Sequence, residues 1–122
     1  MSKGEQPSAD NIETFQGGVN EFNEFISKAE GLVVVCFWAQ WCAPCRRLTG
    51  MLPQMAAECP KVKFIKVDVD ENPELAEKYQ ITGIPNVFLF KGIDEKGVPL
   101  KVAEIQGLDN TGMRDAIDKN SK

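Results

Sequence analysis

Hydrophobic and polar positions follow two different periods along this chain, one typical of strands and one typical of helices. Residues 32–38 (LVVVCFW) are continuously apolar and rich in β-branched side chains, which predicts a strand covered on both faces. Residues 19–29 place their apolar side chains three or four positions apart, which is the period of one helix face. Both patterns recur along the chain, so the sequence predicts strands that alternate with helices.

These periods predict five strands and four helices. The predicted strands are 11–15, 32–38, 62–68, 87–91 and 100–106, and the predicted helices are 19–29, 42–58, 72–79 and one from residue 110 onward. Strands that alternate with helices imply parallel pairing, and the last two strands add an antiparallel hairpin. The sequence therefore predicts an α/β fold with a mixed central β-sheet flanked by helices on both faces.

Glycine, proline and asparagine residues mark the expected boundaries of these elements. Gly50 and Pro53 are expected to bend or break the second helix. Asn72 and Asn110 are expected to cap the third and fourth helices, because asparagine is a favoured N-cap residue. Residues 92–99 are expected to form the hairpin loop.

The length and net charge of the chain limit the number of its domains and the classes of partner that it can bind. A chain of 122 residues fits one domain, which we expect to span residues 10–122 after a flexible N-terminal extension at 1–9. A formal net charge of -4, without a lysine- and arginine-rich run, argues against a nucleic-acid partner. The longest apolar run, 32–39, is too short to cross a bilayer, so no membrane association is expected. The polar first eleven residues show no secretory signal, which favours the cytoplasm.

The candidate chemistry lies in the cysteines, because the chain contains no histidine. Without histidine, Cys–His catalysis and histidine-bearing zinc sites are excluded. Cys36 and Cys59 are not spaced as a second zinc ligand pair, so no metal is expected. A purely structural disulfide across C-x-x-C closes a very short loop and gains little stability. Redox chemistry in a reducing compartment is therefore the favoured interpretation.

Cys42 and Cys45 are separated by two residues at the predicted start of the second helix. At this spacing both side chains lie on one helix face, with Cα atoms about 5–6 Å apart, which suits a disulfide. Pro44 is tolerated there because the first N–H groups of a helix have no intrahelical partner. Those N–H groups and the helix dipole stabilise a thiolate, so Cys42 is the expected nucleophile and Cys45 the resolving cysteine.

Three segments together resemble the thioredoxin family: FWAQWCAPCRRL, KVDVDENPELAEKYQITGIPNVFLF and IQGLDNTGMRDAI. The resemblance covers roughly residues 10–120 and implies the thioredoxin fold. It also implies an enzyme that reduces protein disulfides through Cys42 and Cys45 and is recycled by a thioredoxin reductase. The expected partners are thus protein disulfide substrates and that reductase, the expected state is a monomer, and no cofactor is expected.

The resemblance also assigns residues around the pair. The substrate-binding residues that it implies are Trp41, Ala43, Pro44, Gly83, Ile84, Pro85 and Gly107. Pro85 matches the family's cis-proline, and the backbone just before it is expected to pair with an extended substrate. Trp38, Lys66 and Cys36 are expected to support the active site from below. Ala43 stands where glycine is usual, so a modest shift in reduction potential is expected.

Cys36 is the largest departure from the family, because it occupies the position of a buried aspartate that pairs with the lysine matched by Lys66. The favoured interpretation is a small buried hydrophobe, and a third redox thiol that reaches Cys45 stays open. Cys59 is either a structural residue or an exposed thiol, and the sequence does not distinguish these two. Two other functions also stay open. One is a disulfide isomerase or oxidase, and the other is a binding module with weak redox activity.

Overall fold

The computed structural model describes residues 11–121. Its elements are β1 (Ile12–Thr14), α1 (Val19–Lys28), β2 (Leu32–Trp38), α2 (Ala43–Glu58), β3 (Lys63–Asp68), α3 (Pro73–Lys78), β4 (Asn86–Ile93), β5 (Pro99–Gln106) and α4 (Asn110–Asn120). This order matches the predicted one. The extension expected at 1–9 lies outside the described residues, and the domain bounds of 10–122 stay a prediction. No helix in the described part of the chain is long and apolar enough to span a membrane.

The sheet has five strands in the order β1-β3-β2-β4-β5. β1, β3 and β2 pair in parallel, whereas β4 pairs antiparallel with both β2 and β5. The predicted mixed sheet is therefore confirmed. β2 is its central strand, and the chain turns from the end of β2 directly into α2.

Side chains alternate along β2 between two hydrophobic clusters, which explains why the whole strand is apolar. Val34 and Cys36 face the cluster formed with α2 and α4, whereas Val33, Val35 and Phe37 face the cluster formed with α1 and α3. The second cluster is aromatic, with Phe22, Phe37, Phe88, Phe90 and Tyr79 packed mainly edge to face. Both faces of the sheet are thus covered by helices, as predicted.

Of the two outcomes expected at Gly50 and Pro53, a bend or a break of the second helix, the break does not occur. α2 is one helix of 16 residues with Pro53 inside it. Proline removes one backbone hydrogen bond, but the buried side chains of Leu48, Leu52 and Met55 hold the helix against the sheet. Tertiary packing therefore outweighs the local preference of these two residues.

One of the two predicted N-cap residues lies at a different position, and the other is at the predicted position without a side-chain capping bond. α4 is capped by Asp109, whose carboxylate accepts from the backbone N–H of Gly112 at 2.8 Å, so Asn110 is the first helical residue. Asn72 does occupy the N-cap position of α3, but its side chain makes no capping bond. It is buried instead, and it hydrogen-bonds to residues outside α3.

The closing hairpin is longer than the sequence predicts. β4 continues to Ile93 and β5 starts at Pro99, so the loop shrinks to residues 94–98. The Oδ1 atom of Asp94 accepts from the N–H groups of Lys96 and Val98, which closes this loop. A register shift in the pair between Phe90 and Ile93 accommodates the extra residues.

Candidate active site

Cys42 and Cys45 form a disulfide at the start of α2, with Cα atoms 5.2 Å apart. Cys42 is the N-cap residue with extended backbone, and Pro44 lies in the first helical turn. Proline is well placed there, since the N–H it lacks would have no intrahelical partner. The structure therefore confirms that the C-x-x-C spacing brings the two sulfurs together at a helix N-terminus.

The two sulfurs differ in exposure and in their hydrogen bonding. Cys42 keeps 6% of its surface exposed, whereas Cys45 is fully buried. The backbone N–H of Cys45 donates to Sγ of Cys42 at 3.3 Å, and this Sγ lies 3.8 Å from the carbonyl oxygen of Ile84. An N–H donor and the positive end of the helix dipole both favour negative charge on Cys42. An external thiol or disulfide can reach only the outer sulfur.

Trp41 presents its indole beside the pair, with 69% of its surface exposed. Its Nε1 donates to Oδ2 of Asp70 at 2.9 Å, which fixes the ring orientation. Asp70 was missed from the sequence. Its position after β3 could have indicated it, because polar residues that directly follow a parallel strand lie at the carboxyl edge of the sheet, where ligand-binding sites form. The N–H of Asp70 in turn donates to Oδ1 of Asp68 at 2.8 Å.

The loop before β4 also lies next to Cys42, through the carbonyl oxygen of Ile84, and contains a cis peptide bond between Ile84 and Pro85. A depression of about 280 Å³ lies there. Four residues predicted to bind substrate line it together with three others: Gly83, Ile84, Pro85, Gly107, Thr82, Asn86 and Gln106. The N–H of Gly107 donates to the carbonyl oxygen of Pro85 at 2.9 Å.

The remaining predicted substrate residues are presented by the first part of α2. Ala43 is exposed and Pro44 is half-buried, so both lie on the surface that surrounds the disulfide. All seven predicted substrate residues therefore lie in the two segments that flank Cys42 and in the turn at Gly107.

Cys36 packs in the hydrophobic cluster formed with α2 and α4, whereas Cys42 and Cys45 belong to a separate small cluster. It is fully buried, and burial raises the pKa of its thiol to about 12, although the nearby charge of Lys66 acts in the opposite direction. The thiol therefore stays neutral at physiological pH, which fits a small buried hydrophobe. It supplies no negative charge where the family resemblance implies an acid.

Trp38 and Lys66 are adjacent to each other next to the disulfide. The side chain of Trp38 packs against Ala39, Cys42 and Cys45, and Nζ of Lys66 lies 5.6 Å from the centroid of the Trp38 ring. The ammonium group of Lys66 thus contacts an aromatic face. Among residues 11–121, no group of three or more metal-binding side chains comes together.

The mixed sheet, its two helical layers and a dithiol pair at a helix N-terminus define the class of protein. They are the features of a thiol–disulfide oxidoreductase built on the thioredoxin fold. Comparison with known proteins supports this class at the level of sequence. The profile of the Thioredoxin family matches residues 13–119. The chain belongs to the thioredoxin family.

Individual relatives agree with the family assignment. The chain is 43% identical to a thioredoxin of Chlamydia pneumoniae over 101 residues, which cover 82% of this chain and 91% of the relative. It is 40% identical to a thioredoxin of Rickettsia bellii over 94 residues, which cover 73% of this chain and 90% of the relative. The solved structure of a Trichomonas vaginalis thioredoxin superposes with a TM-score of 0.83 at 37% identity, covering 91% of this chain and 98% of that chain.

Membership of this family confirms the fold and the general activity expected from the sequence. The protein is a thiol–disulfide oxidoreductase with a redox-active cysteine pair, and the interpretation as a disulfide-reducing enzyme is confirmed. Its partners are, in general terms, protein disulfides and a reductase.

Proposed function

We propose that this protein reduces protein disulfides with Cys42 as the attacking thiolate and Cys45 as the resolving thiol. The observation that carries the proposal is the position of Cys42. Its sulfur caps α2, accepts the N–H of Cys45 and faces the cis-proline loop. An extended substrate that pairs with the backbone before Pro85 would bring its own disulfide to this sulfur.

The reaction proceeds in two exchanges that balance in atoms and electrons. The Cys42 thiolate attacks one sulfur of the substrate disulfide, forms a mixed disulfide and releases the other substrate sulfur as a thiolate, which takes up a proton. The Cys45 thiol then loses its proton and attacks Sγ of Cys42, which releases the second substrate thiol. Two electrons have passed to the substrate, and the chain is left with the disulfide seen in the structure.

The seven residues around the pair would position the substrate. Trp41, Ala43 and Pro44 provide surface in the segment around Cys42. The other four, Gly83, Ile84, Pro85 and Gly107, line the depression at the cis-proline. Trp38 packs against the disulfide and Lys66 lies over the Trp38 ring, so these two would hold the disulfide turn in place. Cys36 would support the site from the hydrophobic cluster that it shares with α2.

The electron donor that we propose is a thioredoxin reductase, and the location is the reducing cytoplasm. Cys36 and Cys59 are both unpaired, although the chain forms a disulfide at its active site. Cysteines that stay unpaired in a protein with a redox-active pair are consistent with a compartment in which thiols are kept reduced. We further propose that the protein works as a monomer, which size-exclusion chromatography with light scattering tests directly.

The reduction of insulin disulfides tests the proposal, driven first by dithiothreitol and then by a reductase with NADPH. We expect turnover with the unmodified protein and its loss in Cys42→Ser. Cys59→Ser is the matched control, because it changes a cysteine at the opposite end of α2, and it should keep full activity. The proposal is wrong if Cys42→Ser remains active or if Cys59→Ser alone abolishes turnover.

The reduction potential separates the reductase from the other candidate functions. A potential near the value of about -270 mV known for thioredoxin would support a reductant, whereas about -180 to -120 mV would indicate an isomerase or oxidase. The measurement is equilibration of the Cys42–Cys45 pair with a glutathione buffer. A protein that serves only as a binding module needs no defined potential.

A further inference from the structure

Asn86 is the first residue of β4 and directly follows the cis-proline. Only 7% of the residue is exposed, and its Oδ1 atom is buried and accepts no hydrogen bond from the residues that the structure describes. Buried side-chain oxygens are nearly always paired, because an unpaired acceptor lowers the stability of the fold. An unpaired acceptor at the edge of a reactive site therefore indicates a role in binding.

The polar groups next to Asn86 lie on β5. The carboxylate of Glu104 accepts from Nζ of Lys101 at 2.8 Å and from Nε2 of Gln106 at 3.1 Å. A carboxylate cannot donate a hydrogen bond, so Glu104 cannot serve as the partner of Oδ1 of Asn86. The oxygen is left without a donor among the described residues.

The same side chain borders the depression beside the cis-proline. Asn86 and Gln106 are register partners at the end of the sheet, and the turn at Gly107 continues from them. A side chain added at Gly83 or Gly107 would meet no other atom within 4 Å, so both glycines leave open space. A substrate side chain has room to enter this depression.

We propose that the side-chain oxygen of Asn86 accepts a hydrogen bond from a side-chain N–H of the bound polypeptide, and that Asn86 thereby determines substrate specificity. The inference rests on the proposed disulfide-reductase function and adds a preference to it. The preferred substrates carry an amide or ammonium side chain, such as Gln, Asn or Lys, close to the attacked cysteine. The oxygen is covered before binding, and a small rotation about the last side-chain torsion, which has a broad minimum, presents it to the depression.

Pairs of peptide disulfides test this preference. In each pair, one peptide carries Gln and the other carries Met at the same position, within two residues of the attacked cysteine. The two peptides therefore have a similar shape and differ in the side-chain N–H donor. We expect the Gln peptide to be reduced about threefold to tenfold faster in kcat/KM at one of these positions. In Asn86→Leu, which keeps the branched shape but lacks the oxygen, we expect the ratio of the two rates to fall to about one.

Asn20→Leu is the matched control, because it makes the same substitution at an exposed position of α1, and it should keep the ratio of the unmodified protein. A ratio of one at every position of the unmodified protein, or an unchanged ratio in Asn86→Leu, overturns the inference but leaves the proposed function intact. If neither peptide is reduced at all, the proposed function fails as well.

A second measurement avoids any change at Asn86. Cys45→Ser traps the mixed disulfide with the Gln peptide, and a crystal structure of that complex would show the substrate amide within hydrogen-bond distance of Oδ1 of Asn86. A complex in which the peptide amide faces solvent would contradict the inference, even if Asn86→Leu were too unstable to assay.

Discussion

Cys36 shows how the replacement of one residue changes the chemistry available to the site. A buried thiol whose pKa is raised to about 12 does not exchange protons near neutral pH. The proton of Cys45 must therefore leave by another route when Cys45 attacks the mixed disulfide. We therefore expect the residue at position 36 to influence the rate of the second exchange, although its thiol does not take part in it.

Restoring an acid at this position should accelerate the second exchange. In Cys36→Asp, we expect the release of product near pH 7 to become about tenfold faster, which is less than the roughly hundredfold or greater effect of a well-positioned base. Burial of the polar side chain should lower the free energy of unfolding by about 1–3 kcal/mol. Single-turnover tryptophan fluorescence measures the rate, and thermal unfolding measures the stability.

Cys36→Asn is the control for this experiment, because it has a similar shape and polarity but cannot accept the proton as a base. It should lose stability without a gain in rate. Equal release rates in the Asp and Asn variants would show that position 36 has no influence on proton transfer.

The same thiol predicts a loss of stability at high pH. The pKa of Cys36 is raised from 9.0 to about 12 in the folded protein. Below pH 9 the thiol is neutral in both the folded and the unfolded chain, so it does not make the free energy of unfolding depend on pH there. Between these two values the unfolded chain ionises and the folded one does not. Stability should therefore fall by about 1.4 kcal/mol for each pH unit in that window.

Denaturant unfolding of the oxidised protein at pH 8 to 11 measures this loss. Cys36→Ala should show a flatter dependence on pH, whereas Cys59→Ala, at a half-buried position, should change the slope less. Identical slopes in the unmodified protein and in Cys36→Ala would mean that the thiol does not stay protonated in the folded state.

At the scale of elements, α2 carries the active site at its first turn although two of its residues disfavour a helix. Pro53 and Gly50 both lie inside it. The helix survives because its inner face is buried against β2 and β3. Helical periodicity therefore predicted α2 correctly, whereas the local preferences of glycine and proline wrongly suggested that the helix could break.

Gly50→Ala should stabilise the protein. An added side chain at this exposed position meets no atom within 4 Å, and alanine is favoured over glycine in helix interiors by about 1 kcal/mol. Urea unfolding should show this gain without a change in insulin reduction.

Gly112→Ala is the matched control in α4. There the added carbon would clash with the carboxylate of Asp109, which caps that helix, so this variant should be less stable. A gain in stability at both glycines would mean that helix propensity alone governs the outcome.

At the scale of the whole molecule, Asn72 links parts of the chain that lie far apart in sequence. Its Oδ1 accepts from the N–H of Gly17 at 2.9 Å, and its Nδ2 donates to the carbonyl oxygens of Asp68 at 2.9 Å and Phe15 at 3.4 Å. The residue is buried, so these bonds are shielded from water. They connect the end of β1 to the end of β3, next to the segment that holds Asp70.

Asn72→Ala should therefore lower the free energy of unfolding by about 1–3 kcal/mol, because it leaves buried backbone groups unpaired. Chemical denaturation measures the change, and Asn20→Ala on the exposed face of α1 is the control. A loss no larger than that of the control would show that the three bonds contribute nothing beyond an ordinary surface contact.

Much of this fold could be predicted from the sequence, because the information is local. The period of apolar residues determines which segments become strands and helices, and the order of those segments determines the mixed sheet. The spacing of Cys42 and Cys45 determines that both sulfurs meet at a helix start, since three residues make almost one helical turn.

Other features depend on contacts between distant segments, and only the tertiary structure decided them. The bond from Trp41 to Asp70 spans 29 residues, and the bonds of Asn72 to residues 15 and 17 span more than 50. The unpaired oxygen of Asn86 is recognisable only once β5 lies beside it. The physical reason is that hydrogen bonding and burial depend on which groups meet in space, whereas periodicity and spacing are already present along the chain.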